Sequence, residues 1–254
     1  MPSFRLLVSA VFAFALCGMP AASAESFSDS QRGEIEAIVR NYLIAHPEVL
    51  EEAMGELSKR QAAADAAKHE ASVVTNAQTI FNSPRGVVLG NKDGDVTFVE
   101  FFDYNCGYCK RAMIDMLDLM KADPKLKVVL KEFPVLSQAS IEAAQVGVAV
   151  RMQDPTGKKY LDFHQKLLGA RGTADKAHAL AAAKEAGLDP AKIEKDLTGP
   201  EVRATIEENF KLAEAMGMNG TPSYVIGKQV VIGAVGLESL KEKIGIARCG
   251  KATC

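Results

Sequence analysis

Cys106 and Cys109 are two thiols separated by two residues, the spacing of a dithiol that can close and open as a disulfide. The seven residues 96–102, Val-Thr-Phe-Val-Glu-Phe-Phe, are β-branched and aromatic enough to form a buried strand. Arg111 to Met120 then reads as a helix, with Met113, Met116, Leu117 and Met120 on one apolar face. The cysteines stand at the junction. A thiol there meets the unpaired N–H groups and the positive dipole end of a helix. Both favour thiolate, so the Cys106 pKa should fall into a range of roughly 3.5 to 7.5. Cys109, one turn deeper, is placed to attack a mixed disulfide on Cys106. Lys110 and Arg111 add positive charge nearby.

Glu100-Phe101-Phe102-Asp103-Tyr104-Asn105-Cys106, followed by Gly107-Tyr108-Cys109-Lys110, resembles the DsbA family of bacterial thioredoxin-fold proteins. A second stretch, Gly220-Thr221-Pro222-Ser223-Tyr224 with Val225 and Ile226 after it, is similar to that family's cis-proline loop. The likeness spans roughly Gly86 to Gly245. It implies an exported thiol–disulfide oxidoreductase. Cys106 would be the nucleophile and the exposed sulfur, and Cys109 the resolving thiol. Glu100 would be a buried acid that moves the Cys109 proton, its pKa raised by desolvation. Thr221 and Pro222 would hold substrate backbone, and Tyr108 would meet substrate. No external cofactor is needed.

Helices and strands fall in the order this likeness requires. A short strand over Gly86–Leu89 and a turn at Asn91–Asp95 precede the redox strand. Another strand covers Lys127–Phe133. Helical patterns then run from Ser137 to about Gly217, with Ile141, Ala144, Val148 and Met152 on one face, Tyr160, Phe163 and Leu167 on the next, and Val202, Ile206, Phe210 and Ala213 on the last. Strands return at Tyr224–Ile226 and Gln229–Ile232, and a helix near Leu237–Ile244 ends the fold. The class is α/β: a thioredoxin fold with an inserted helical domain, preceded by an α-helical oligomerisation segment.

The chain has 254 residues, 48% of them hydrophobic, with 30 Lys and Arg against 32 Asp and Glu. That balance offers no basic face for nucleic acid. Arg5, the apolar run Leu6–Leu16 and Ala22-Ser23-Ala24 make a cleavable signal peptide over 1–24, which sends the protein to the periplasm. Residues 25–57 follow as a helical oligomerisation segment and 58–83 as a helical linker. Residues 84–254 form the DsbA-like domain, its helical insertion over about 137–218.

In the N-terminal segment, Ser28 or Ser30 can cap a first helix striped by Ile35, Ile38, Tyr42 and Leu43. His46 before Pro47 ends it. A second short helix carries Leu50 and Leu57. These helices hold more apolar residues than a solvated stalk should, so they bury against their own domain or against copies of themselves. Ser58–Ala71 is Ala-rich and charged, a solvated linker. Residues 38–43 and 47–50, and Thr221 before the proline, resemble the suppressor-of-copper-sensitivity C proteins and related trimeric isomerases. That likeness implies a homotrimeric isomerase or reductase. Its substrates would be misfolded or oxidised exported proteins, and its redox partner a membrane thiol reductase or oxidase. The alternatives are a monomeric DsbA-like dithiol oxidase and a copper-handling protein using the same thiolates.

Cleavage removes Cys17 and leaves Cys249 and Cys254 beside the redox pair. These two pair with each other as a structural disulfide, or join Cys106 and Cys109 in a four-thiolate zinc site. The disulfide reading is the simpler, and no metal is assigned. His46, His69, His164 and His178 lack ligand-like spacing, and Met113, Met116 and Met120 read as core.

Overall fold

A computed structural model describes residues 27–254, so the leader expected over 1–24 lies outside the described residues. The chain divides into two compact units, Met1–Ser58 and Lys59–Cys254. Helix α1 (Asp29–Ala45) opens on Ser28, whose side chain accepts from the Gln31 N–H while the Gln31 side chain accepts from the Ser28 N–H. This reciprocal capping box satisfies two orphan donors. The helix stops at His46, before Pro47. Helix α2 (Glu48–Asn82) then runs for 35 residues. The short helix and the helical linker read from the sequence run on as one helix, because only Gly55 interrupts a run rich in Ala and Glu, and no proline follows until Pro84. Within the single chain Ile38, Tyr42, Leu50, Met54 and Leu57 are each about half exposed or more.

In the second unit, strands β1 (Val87–Gly90), β2 (Val96–Phe102), β3 (Leu126–Glu132), β4 (Ser223–Ile226) and β5 (Gln229–Ile232) form one sheet in the order β1-β3-β2-β4-β5. Only the β2–β3 pairing is parallel. Its crossover is α3 (Gly107–Ala122), and α9 (Leu237–Cys249) packs beside α3. The insertion consists of α4 (Gln138–Gln153), α5 (Lys158–Gly169), α6 (Lys176–Glu185), α7 (Pro190–Asp196) and α8 (Pro200–Ala215). The fold is thus a thioredoxin fold carrying a helical insertion.

Both faces of the sheet are covered, so β2 and β3 read as nearly unbroken apolar runs. Phe98, Phe102, Val128 and Leu130 join α3 and the insertion in one core. Val99, Phe101, Val129 and Val225 meet Val73 and Ile80 of α2 and Leu212 of α8 in a second. Lys131 is buried in that second layer, where its amine donates to the Thr79 carbonyl at 3.2 Å and lies 3.9 Å from Glu208. Burial lowers its pKa to about 8.

Two insertion helices turn differently from their apolar patterns. Helix α4 buries Ser140, Ala143, Val146, Gly147 and Val150 as well as Ala144 and Val148, because other helices flank it on several sides. Helix α8 buries Thr205 and Asn209 and leaves Phe210 38% exposed. The Asn209 amide donates to the Glu132 carbonyl at 3.0 Å, so a polar residue is drawn inward. In α3 the buried line is Cys109, Ala112, Met116 and Leu119, with Met113, Leu117 and Met120 only partly covered.

Candidate active site

Cys106 is the N-cap residue of α3 and Cys109 lies in its first turn; both are unbonded thiols. Extended backbone at Cys106 sets its sulfur beside the helix's first N–H groups, without a side-chain cap hydrogen bond. The Thr221–Pro222 peptide bond is cis, and it sets the Thr221 carbonyl oxygen 3.2 Å from Cys106 Sγ, where it accepts from the thiol form. The thiolate is favoured more strongly. A hydrogen bond from the Cys109 thiol is the largest cause, and Thr221 and the Cys109 and Tyr108 N–H groups add to it against partial burial. Together they bring the Cys106 pKa down to about 5. Giving that hydrogen bond pushes the Cys109 pKa far up, and burial pushes it further.

The sequence suggests that Cys106 is the exposed sulfur of the pair, and in the structure both sulfurs are covered. Cys106 is 5% exposed and Cys109 wholly buried, because the cis-proline loop closes over the N-terminus of α3. The difference in access still favours Cys106 as the first to react.

Glu100 points to the same side of β2 as Phe98 and Phe102, across the ladder from Leu130 on β3 and Tyr224 on β4. It is 3% exposed. Burial raises its pKa to about 8, with the charges of Asp115 and Cys106 adding to the rise. Tyr108 is 59% exposed, and the Arg111 guanidinium lies 4.7 Å from its ring centre. Lys110 turns away, its amine donating to the Ala170 carbonyl at 2.8 Å. Cys106, Cys109, Glu100, Thr221 and Pro222 therefore converge on one place, with Tyr108 on its rim.

Cys249 and Cys254 are joined in a disulfide at the end of α9. Arg248 beside them bonds Asp123, the C-cap of α3, at 2.7 Å, and also Asp95. The two cysteine pairs thus lie at opposite ends of α3, about 24 Å apart along its axis. That separation excludes a shared zinc site. Among the described residues no group of three or more His, Cys, Asp or Glu is arranged to hold a metal ion. Replacing both Cys249 and Cys254 with Ser is expected to leave turnover within about twofold, under roughly 0.5 kcal/mol in the barrier. A tenfold loss in a disulfide-exchange assay would place them in the chemistry.

Sequence reasoning passes over Asp103, Asn105, Glu132 and Tyr160, which surround the redox loop from within. Asp103 Oδ2 accepts from the Val135 and Leu136 N–H groups at 2.9 and 3.1 Å. Asn105 donates to Ser140 Oγ and to the Ala174 carbonyl, and accepts from the Ala174 N–H. The signal available in sequence was three polar or aromatic residues in a row ahead of Cys106.

The DSBA-like thioredoxin domain matches residues 97–245, more than half the chain, and the protein belongs to that family. Residues 31–64 match a second model, the N-terminal domain of the copper resistance protein ScsC. A thioredoxin-like oxidoreductase from Silicibacter pomeroyi DSS-3 is 43% identical, with 67% of this chain and 96% of that one covered at a TM-score of 0.64. Proteus mirabilis ScsC in a transitional conformation is 29% identical, with 88% and 97% covered at a TM-score of 0.63. The first curated relatives are the Na(+)/H(+) antiporter NhaA of Herminiimonas arsenicoxydans and NhaA 1 of Salinispora arenicola, 25% and 23% identical. The chain spans only about a quarter of their length, 26% and 25%.

Proposed function

We propose that this chain is a periplasmic thiol–disulfide oxidoreductase that reduces and reshuffles disulfides in misfolded exported proteins. The observation that carries the reading is the division of labour between the two sulfurs. Cys106 is poised as thiolate and Cys109 is held as thiol beneath it, with a buried acid beside them. Cys106 attacks a substrate disulfide, forming a mixed disulfide and releasing one substrate thiolate. If that thiolate attacks another substrate disulfide, the thiolate freed there can attack the substrate sulfur of the mixed disulfide, so the substrate is rearranged and Cys106 leaves unchanged as thiolate. Otherwise Cys109 gives its proton toward Glu100 and attacks the Cys106 sulfur. The second substrate thiolate departs, the substrate has gained two electrons, and Cys106 and Cys109 are joined. A membrane thiol reductase would return two electrons to the pair; a membrane oxidase would instead favour the oxidase reading. The Thr221–Pro222 loop and Tyr108 would hold the substrate backbone.

Isomerase is favoured over oxidase by the apolar surface that α1 and the start of α2 leave uncovered in the single chain. That surface supports self-association through residues 25–57, with 58–83 as the linker and 84–254 as the catalytic domain. The leader expected over 1–24 supports export. The test is recovery of activity from a scrambled disulfide substrate by the reduced protein. Recovery without a stoichiometric oxidant supports isomerase. Activity only on reduced substrate with oxidised enzyme would make it an oxidase. Stoichiometric Cu(I) held by the two thiolates, without turnover, would make it a copper carrier.

Glu100→Gln is expected to slow resolution of the mixed disulfide about 10²-fold, the lower end of general-base contributions. The wild-type step should quicken as pH rises toward about 8, where Glu100 becomes able to accept the proton. The variant should lose that dependence. Stopped-flow decay of a mixed disulfide across this range checks both, and unchanged rates would remove Glu100 from the mechanism.

A further inference from the structure

The residue two before Cys106 is tied into a buried polar cluster that disulfide exchange itself does not use. Tyr104 is 1% exposed, its ring edge-on to Phe102, Phe163 and His164. Its hydroxyl lies 3.2 Å from Glu132 Oε1 at the end of β3 and 3.2 Å from the Tyr160 hydroxyl on α5. Tyr160 donates to the same Glu132 oxygen at 2.7 Å. Three oxygens thus form a closed triangle within an aromatic core. Helix α4 seals it through Gly147, where a Cβ would overlap the Glu132 carboxyl and crowd the Tyr104 hydroxyl. Glu132 is 4% exposed.

This is a costly way to fill a core. Leu at 132 with Phe at 104 and 160 would pack the same space without a buried carboxyl, and such replacements are often neutral or stabilising. What apolar packing would not do is fix the depth and rotation of the Tyr104 ring. Directional bonds that tie it to Glu132 on β3 and Tyr160 on α5 do so. Asp103 and Asn105 on either side hold the same turn to the 135–136 loop, to α4 and to Ala174. The Cys106 N–H donates to the Asp103 carbonyl at 3.1 Å. The placement of this turn decides whether Cys106 Sγ meets the N–H groups of Tyr108 and Cys109, and sites of this kind tolerate errors of only about 0.5 Å.

We propose that the Tyr104–Glu132–Tyr160 cluster registers the helical insertion onto the redox turn, making Glu132 and Tyr160 positioning residues that act on Cys106 through Tyr104. The proposal rests on the reading of Cys106 as the thiolate nucleophile. It assigns the insertion a part in setting thiol reactivity, not only in shaping a surface.

The test is the pH profile of iodoacetamide alkylation of the reduced full chain, with the label located on Cys106 by mass spectrometry. Tyr160→Phe and Glu132→Gln are expected to raise the profile's midpoint, lowering the rate at pH 5 at least threefold. Leu212→Ala, which opens the other core, should lower the melting temperature and leave the midpoint where it is in wild type. Should a single variant fail to fold, Tyr160→Phe combined with Glu132→Leu removes the carboxyl and hydroxyl together and carries the same readout. Folded variants with an unmoved midpoint, or a Leu212→Ala midpoint that moves as far, would overturn the proposal. A wild-type midpoint at the ordinary thiol value would overturn the nucleophile reading itself, and the positioning role with it.

Discussion

Cys109→Ser protein mixed with a disulfide-bonded substrate is expected to accumulate covalent complexes through Cys106, whereas Cys106→Ser should form none and lose exchange altogether. The asymmetry follows from the two environments. Cys106 has the residual access and the depressed pKa, and it stands at the N-cap position of the helix. Cys109 is fully covered and holds its proton, so it can attack only a neighbour already in place. Ser at 109 removes that internal attack and leaves the mixed disulfide without a route to resolution. Non-reducing gels and mass spectrometry read the complexes. Trapping by Cys106→Ser and none by Cys109→Ser would exchange the two roles.

The second large effect is expected at the level of assembly. Sedimentation of the intact protein should give three chain masses, and deletion of residues 25–57 should give a monomer. Helices gain most of their stability in proteins by burying an apolar stripe. In the single chain Ile38, Tyr42, Leu50, Met54 and Leu57 remain uncovered, and assembly would bury them. The deleted protein should keep Cys106 alkylation while losing isomerase activity. The gain from assembly is local concentration, since several thiolates face one misfolded chain. An intact protein that sediments as a monomer at micromolar concentration would remove the trimer and shift the reading to a DsbA-like oxidase.

The redox strand was fully legible because both sides of it are covered, and the apolar run Val96–Phe102 therefore begins and ends where β2 does. The cysteine pair and the Thr221–Pro222 loop were legible as motifs, although nothing in sequence could reveal that Cys106 would be almost covered. The insertion was legible as helices but not in its facing. Apolar counting chose Phe210 for the inner side of α8, whereas Asn209 turns inward for a backbone carbonyl on another element. Lys131-Glu132 falls within the strand read over Lys127–Phe133, and nothing in the sequence tells its two charged side chains from solvated ones. In the fold its two side chains enter opposite buried layers, one toward α2 and α8 and the other toward α4 and α5. A period-two pattern cannot separate outward charges from charges that are buried and partnered.

The unequal thiols also set how protons are counted against electrons. An ordinary dithiol carries two protons at neutral pH and sheds both when two electrons leave, so its potential falls about 59 mV per pH unit. Here Cys106 has already lost its proton above about pH 5, and only the Cys109 proton remains to be released. One proton for two electrons gives a slope of about 30 mV per pH unit. Equilibration with glutathione at pH 6 and pH 7 would distinguish the two slopes. A drift in the acidity around this protein therefore moves its potential half as far as it would move that of an unpoised pair.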